Sequence, residues 1–336
     1  MESDRMLTAE EAAAILKVRP KTVQRWCREG RIPARRFGKD YRIWPADLQL
    51  PVRSAPEKRE PQTPRPVGRH AGYQASRTKI IAVSNQKGGV GKTTTTQAVG
   101  AALAERGLHV LLVDLDPQGS LTTSVGLDTA AVSPTVYDLM EEFFDSDQPI
   151  DVERAIRPID DNLDLLPSNI RLSVADLSLA QRDRREYILA ELLEPIRSAY
   201  DWILIDCPPS LSLLTINALT CADACVMPVT PEPLVTATLD LLLDTVVRVR
   251  RNKLNPRLRV AGLVLTRTDP RTAVERGVME ALRETVGNGI PILGEVRSSA
   301  LVHHAAAQRV LLTRFKPASE AADAYRQIAE VLSNAF

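Results

Sequence analysis

Long apolar runs are missing from this 336-residue chain. No stretch of about 18 uncharged apolar residues occurs, so no segment reads as a membrane-spanning helix. The opening residues MESDRMLTAEE lack the apolar stretch of a secretory signal. Cysteine is scarce: Cys27, Cys207, Cys221 and Cys225 have neither zinc-site spacing nor the density of a disulfide framework. His303 and His304 are adjacent rather than one helical turn apart, which argues against a shared metal. What remains is 44% hydrophobic and 25% charged, the composition of a globular, cytoplasmic chain long enough for two domains.

The net charge of +1 conceals an asymmetry. Residues 1–79 hold 18 Lys/Arg against 9 Asp/Glu, and the rest holds 25 against 33. A basic front end on a mildly acidic body points to an anionic partner such as nucleic acid.

That front end, residues 1–50, divides into helix, turn, helix and hairpin. Thr8 with Glu11 forms a capping box, and Ala12, Ile15 and Leu16 make an apolar stripe behind it. Val18 to Pro20 is a tight turn, and Pro20 suits the first position of a second helix that ends at Gly30. On that helix Val23, Trp26 and Cys27 face inward, with Trp26 a core residue, and Lys21, Gln24, Arg25 and Arg28 are left outside. RRFGKDYRIW then reads as a β-hairpin around Gly38-Lys39-Asp40. Together these make a winged helix-turn-helix. The helix enters the major groove, and Arg35, Arg36, Lys39 and Arg42 on the wing meet phosphates. The stretch resembles excisionase-like and MerR-like DNA-binding domains. Residues 51–78, with five prolines and almost no aliphatic side chains, read as a linker.

From Lys79 to Phe336 strand-like and helix-like runs alternate. Strands are expected at KIIAVS, HVLLVD, LDLLP, DWILID, ACVMPV, RVAGLVLT and PILGEV, with helices at 92–106, 171–180, 186–199, 211–221, 234–252, 271–286, 299–308 and 318–333. Near-continuous apolar strands separated by helices imply an α/β fold, a doubly wound parallel sheet with its ligand site at the carboxyl ends of the strands.

Between the first of these strands and its helix lies NQKGGVGKTTTT. It nearly fits the phosphate-binding pattern G-x-x-x-x-G-K-[ST], but Gln86 stands where the first glycine belongs and Lys87 adds a cation. Gly88, Gly89 and Gly91, with Val90 and Thr94 in the same loop, turn backbone N–H groups inward. Lys92 reaches the β- and γ-phosphates and the Thr93 hydroxyl reaches Mg2+. Asp114 and Asp116 close the strand LLVDLD, and Asp206 closes WILID, the Walker B arrangement.

KGGVGKTT, VDLDPQG and IDCPPSL together resemble the deviant-Walker ParA/MinD ATPases, most closely the ParA-type DNA partition proteins, over residues 79–336. The resemblance implies ATP and Mg2+ as cofactors and a homodimer formed on ATP, in which Lys87 reaches the phosphates of the partner protomer. It implies that Asp116 orients the attacking water and that Asp114 supports the Mg2+ and lysine network. PVTPEPLVTATL, with Pro231, and LTRTDPRT would lie near the base. EVRSSALVHHAAAQRVLL matches a stretch whose cations face DNA, although it lacks a proline common there. The implied partners are DNA and a ParB-like protein, on the nucleoid, with no membrane. The terminal segment SEAADAYRQIAEVLSNAF, with one Arg and no Lys, is unlike the membrane helix of MinD-type relatives. A different reading stays open: an ATP-regulated, sequence-specific transcriptional repressor.

Overall fold

Thr8 closes the first helix at its N-terminus. Its hydroxyl accepts the Glu11 N–H at 3.1 Å, and the Glu11 carboxylate accepts the Thr8 N–H at 2.8 Å, so the capping box is present. This is part of a computed structural model that describes residues 6–16, 20–28, 32, 34–37, 40–43, 75, 77–145, 149–232, 235–269, 271, 277–280, 282 and 289–336. The chain divides into two compact units, Met1–Thr63 and Pro64–Phe336.

In the first unit the helices Ala9–Ile15 and Pro20–Arg28 pack with a small sheet of β1 (Leu7–Thr8), β2 (Arg35–Phe37) and β3 (Asp40–Ile43). The sheet order is β1-β3-β2, antiparallel throughout, with Arg35 opposite Arg42 and Phe37 opposite Asp40. Ala9, Ala12, Ala13, Val23, Ile32 and Ile43 form the core, and Leu16 and Cys27 pack against it. Ile15, expected on the buried stripe, is instead 59% exposed. The short helix offers Ala9, Ala12 and Ala13 to the core, and Ile15 falls on its far side. Lys21 and Gln24 are exposed as expected, and Arg42 is half-buried. Lys39 lies outside the described residues, as do the side chains of Arg25, Trp26, Arg28, Arg35 and Arg36. Most of the expected linker also lies outside them.

The second unit is built on eight strands: β4 (Lys79–Val83), β5 (Val110–Asp114), β6 (Arg157–Asp160), β7 (Leu163–Leu166), β8 (Trp202–Asp206), β9 (Ala224–Val229), β10 (Arg259–Thr268) and β11 (Ile292–Arg297). Their order is β11-β10-β9-β4-β8-β5-β7-β6. Neighbours are parallel except β6 and β7, which are antiparallel. The sequence led us to expect a wholly parallel sheet and did not reveal β6. Its residues RPID are all half-buried, as suits an edge strand, so no apolar run marks it.

Helices cover both faces. On one face Leu139, Leu189, Leu214 and Leu242 meet Leu111 and Ile205. On the other, Ala98, Leu103, Tyr325 and Ile328 meet Leu112 and Leu204. Three short helices went unread in the sequence: Ser120–Ser124, Val136–Asp145 and Leu312–Phe315. The helix expected over 186–199 is α-helical only at Ile188–Leu193 and continues as a 3-10 turn, because Pro195 lacks the N–H that an α-helix needs. The segment expected over 171–180 likewise opens as a 3-10 turn at Ile170–Val174. Most of 271–286 lies outside the described residues. Among the described residues no helix is long and apolar enough to cross a membrane.

Candidate nucleotide site

β4 sits inside the sheet between β8 and β9, so the loop after it emerges where three carboxyl ends converge. Within that loop Asn85 is buried; its Nδ2 donates to the Pro228 carbonyl at 2.8 Å and its Oδ1 accepts the Lys87 N–H at 2.9 Å. Gly89 and Gly91 have φ of 74° and 83°, the left-handed region that favours glycine. Gly88 has no left-handed φ, and among the described residues no atom beyond its chain neighbours lies within 4 Å of where a Cβ would stand, so nothing described in its own protomer requires glycine there. Gly91 caps the helix Lys92–Glu105, whose first N–H groups border the loop.

Lys92 is buried, and its ammonium donates to the Lys87 carbonyl at 3.1 Å. Burial lowers its pKa, opposed by the charges of Asp206, Cys207 and Asp116. The Thr93 hydroxyl donates to Asp206 Oδ2 at 2.6 Å. Asp206 Oδ1 is buried and has no hydrogen-bond partner among the described residues. Burial and the neighbouring Asp114 charge push the Asp206 pKa well up. A buried acceptor without a donor, beside a hydroxyl, suits a hard cation that keeps most of its waters, as Mg2+ does.

Asp114, fully buried, is held up to about 6 chiefly by its burial. Its Oδ2 accepts from both the N–H (2.8 Å) and the hydroxyl (2.7 Å) of Thr122, and its Oδ1 accepts the Asp116 N–H at 3.2 Å. Asp114 therefore anchors the Asp116 loop. Asp116 is half-buried, and its Oδ1 accepts the Gln118 N–H at 2.9 Å. The Ser168 hydroxyl donates to the Asp116 carbonyl at 2.9 Å and steadies the loop from the chain after β7.

Lys87 behaves differently from Lys92. Its ammonium pairs with Glu232 Oε2 at 2.5 Å, and Glu232 also accepts the Thr230 hydroxyl at 2.9 Å. That contact lowers the Glu232 pKa. Pro231, next to it, is buried. The sequence did not point to Glu232, nor to Thr266, whose hydroxyl donates to the Val90 and Val229 carbonyls at 2.9 and 3.1 Å. It also missed Arg267, which has φ of 56° and donates to the Gly89 carbonyl at 3.2 Å. These residues close the loop from β9 and β10.

A mostly parallel sheet, a glycine loop after an inner strand, a buried lysine and a threonine–aspartate pair define the P-loop nucleoside-triphosphatase class. Comparison with known proteins narrows it. A family model described as an AAA domain matches residues 78–260, and one described as a helix-turn-helix domain matches residues 6–49. The sporulation initiation inhibitor protein Soj of Bacillus subtilis is 41% identical over 260 residues, 76% of this chain and 99% of Soj. The chromosome partitioning protein ParA of Caulobacter vibrioides is 40% identical over 218 residues, 64% of this chain and 79% of that protein. Among solved structures, cobyrinic acid a,c-diamide synthase from Mycobacterium smegmatis with bound ADP and magnesium is 35% identical. It covers 75% of this chain and 93% of its own, with a TM-score of 0.65. The chain belongs to the ParA/Soj family of partition ATPases, with a helix-turn-helix domain at its N-terminus.

Proposed function

We propose that this protein is a DNA partition ATPase. It binds ATP with Mg2+, pairs with a second copy on doing so, holds DNA in that state, and releases it after hydrolysis stimulated by a ParB-like partner. Lys92 and the amides of Gly88 to Thr94 bind the phosphates. Thr93 and Asp206 hold Mg2+, which neutralises phosphate charge. Asp116 accepts a hydrogen bond from the attacking water, because its Oδ2 takes none from the described residues. Asp114 keeps that carboxylate in place through the Asp116 N–H. Pro231 lies beside the base. Residues 1–50 form the DNA-reading domain, 51–78 the linker and 79–336 the ATPase.

The observation that carries this reading is the contrast between two lysines. Lys92 lies within the cradle, whereas Lys87 leaves it for Glu232. The Lys87–Glu232 pair is 38% and 55% exposed, so breaking it costs about 0–1 kcal/mol and the ammonium is available to another protomer's phosphates. Lys87→Gln should keep monomeric ATP binding and lose nucleotide-dependent dimerisation. Sedimentation with a slowly hydrolysed ATP analogue checks this, and a normal dimer would contradict the role of Lys87 in trans.

The helix-turn-helix match over residues 6–49 supports a second reading, an ATP-regulated repressor of one operator. In that reading Lys21, Gln24, Arg25 and Arg28 face base edges while Arg35, Arg36, Lys39 and Arg42 hold phosphates.

A further inference from the structure

β10 breaks register with β11 at a single residue. Thr266 stands opposite Val296 and Thr268 opposite Arg297, so Arg267 is an extra residue in β10, a bulge. Bulges are rare between parallel strands and are over-represented beside active sites, where they re-aim a side chain. Arg267 also has φ of 56°, the left-handed region that non-glycine residues seldom adopt. Its two neighbours hold it there. Thr266 is buried and donates to the carbonyls of Val90 at 2.9 Å and Val229 at 3.1 Å. Thr268 is buried and donates to Glu295 Oε1 at 2.7 Å. A left-handed residue persists only where the surrounding structure over-determines it, and such residues cluster at functional sites.

The side chain aimed in this way reaches the phosphate loop. Arg267 Nη1 donates to the Gly89 carbonyl at 3.2 Å. The residue is exposed, and among the described residues its guanidinium pairs with no carboxylate. Elsewhere in this unit arginines find acids: Arg314 holds Asp160 at 2.7 Å and Arg326 holds Glu105 at 2.8 Å. In a trans peptide the C=O and the following N–H lie on opposite sides of one plane. With the carbonyls of Gly89 and Val90 held by Arg267 and Thr266, the N–H groups of Val90 and Gly91 turn away from β10. Left-handed Gly89 and Gly91 flank Val90, and successive N–H groups in such a backbone make a concave anion site. Glycine populates both signs of φ about equally, so Gly89 leaves its peptide free to rotate unless something outside the loop restrains it.

We infer that Arg267 is a positioning residue of the phosphate cradle: by holding the Gly89 carbonyl it presents the Val90 N–H to the phosphates of a bound nucleotide. The role needs one donor and no contact with the base. It sets the donor before the ligand arrives, which lowers the ordering cost of binding. Thr266 does the same for the next peptide, but from a buried position where its loss would also disturb packing.

This inference rests on the reading of the cradle as a nucleotide site, so its test uses diphosphates, which probe the cradle without requiring an ATP-linked dimer. The full-length parent, Arg267→Gly and Arg267→Lys are titrated with ADP and with GDP in the presence of Mg2+ by isothermal titration calorimetry, and their melting temperatures are compared. Arg267→Gly relieves the left-handed backbone, so its melting temperature should equal or exceed the parent's. Its affinity should nevertheless fall by about two- to tenfold, the loss of one net hydrogen bond, and by the same factor for both diphosphates. Arg267→Lys keeps one donor and should keep most of the affinity. Unchanged affinity in Arg267→Gly overturns the inference. A loss for ADP alone also overturns it, by placing Arg267 at the base, as does a loss accompanied by a lower melting temperature, which would make the residue a brace of the fold. A parent that bound neither diphosphate would remove the nucleotide reading itself, and this inference with it.

Discussion

Asp116 shows how much of the site rests on single hydrogen bonds. Its carboxylate is oriented by the Gln118 N–H, and its backbone by Asp114 and the Ser168 hydroxyl. Asp116→Ala removes the proposed acceptor for water but none of the groups of the cradle. It should bind ATP and dimerise while hydrolysis falls by about 10²-fold or more, the usual loss for a general base. Comparing single-turnover hydrolysis with ATP affinity checks this, and turnover at the parent rate would remove Asp116 from the reaction. Lys92, Thr93 and Asp206 were legible as candidates because short motifs mark their positions. Glu232, Thr266 and Arg267 were not, because they meet the loop from 145, 176 and 178 residues away. The family resemblance set their segments near the base, but no local pattern around PEP or TRT announces which side chain makes the contact.

At the scale of elements, helix starts were read well and short or mixed helices poorly. The Thr8–Glu11 box marks its helix because both hydrogen bonds close within three residues. Thr8→Ala should destabilise the N-terminal unit by about 0.5–2 kcal/mol. In a unit of that size this lowers its melting temperature by roughly 4–8 °C per kcal/mol, which differential scanning calorimetry of the full chain can resolve. A shift confined to the larger unit would contradict the assignment. The helix Ser120–Ser124, only five residues long, has no such signature. It exists because Asp114 binds the Thr122 N–H and hydroxyl, a contact from the preceding strand.

At the scale of the molecule, two units with different chemistry share one chain, and the two functional readings differ in what the first unit recognises. DNase footprinting of the full chain with ATP, with ADP and without nucleotide separates them. One protected operator whose occupancy changes with nucleotide supports repression, whereas protection that spreads with ATP and ignores sequence supports partition. The sequence by itself determined the phosphate loop, the carboxylates at the ends of β5 and β8, the capping box and the parallel core. Each of these depends on residues close together or on a run of apolar side chains long enough to form a buried strand. Only the tertiary structure decided that β6 pairs antiparallel at the edge, that Ile15 is turned to solvent and that Lys87 rests on Glu232. These outcomes depend on which distant surfaces meet when the sheet closes, and a one-dimensional pattern does not contain that information.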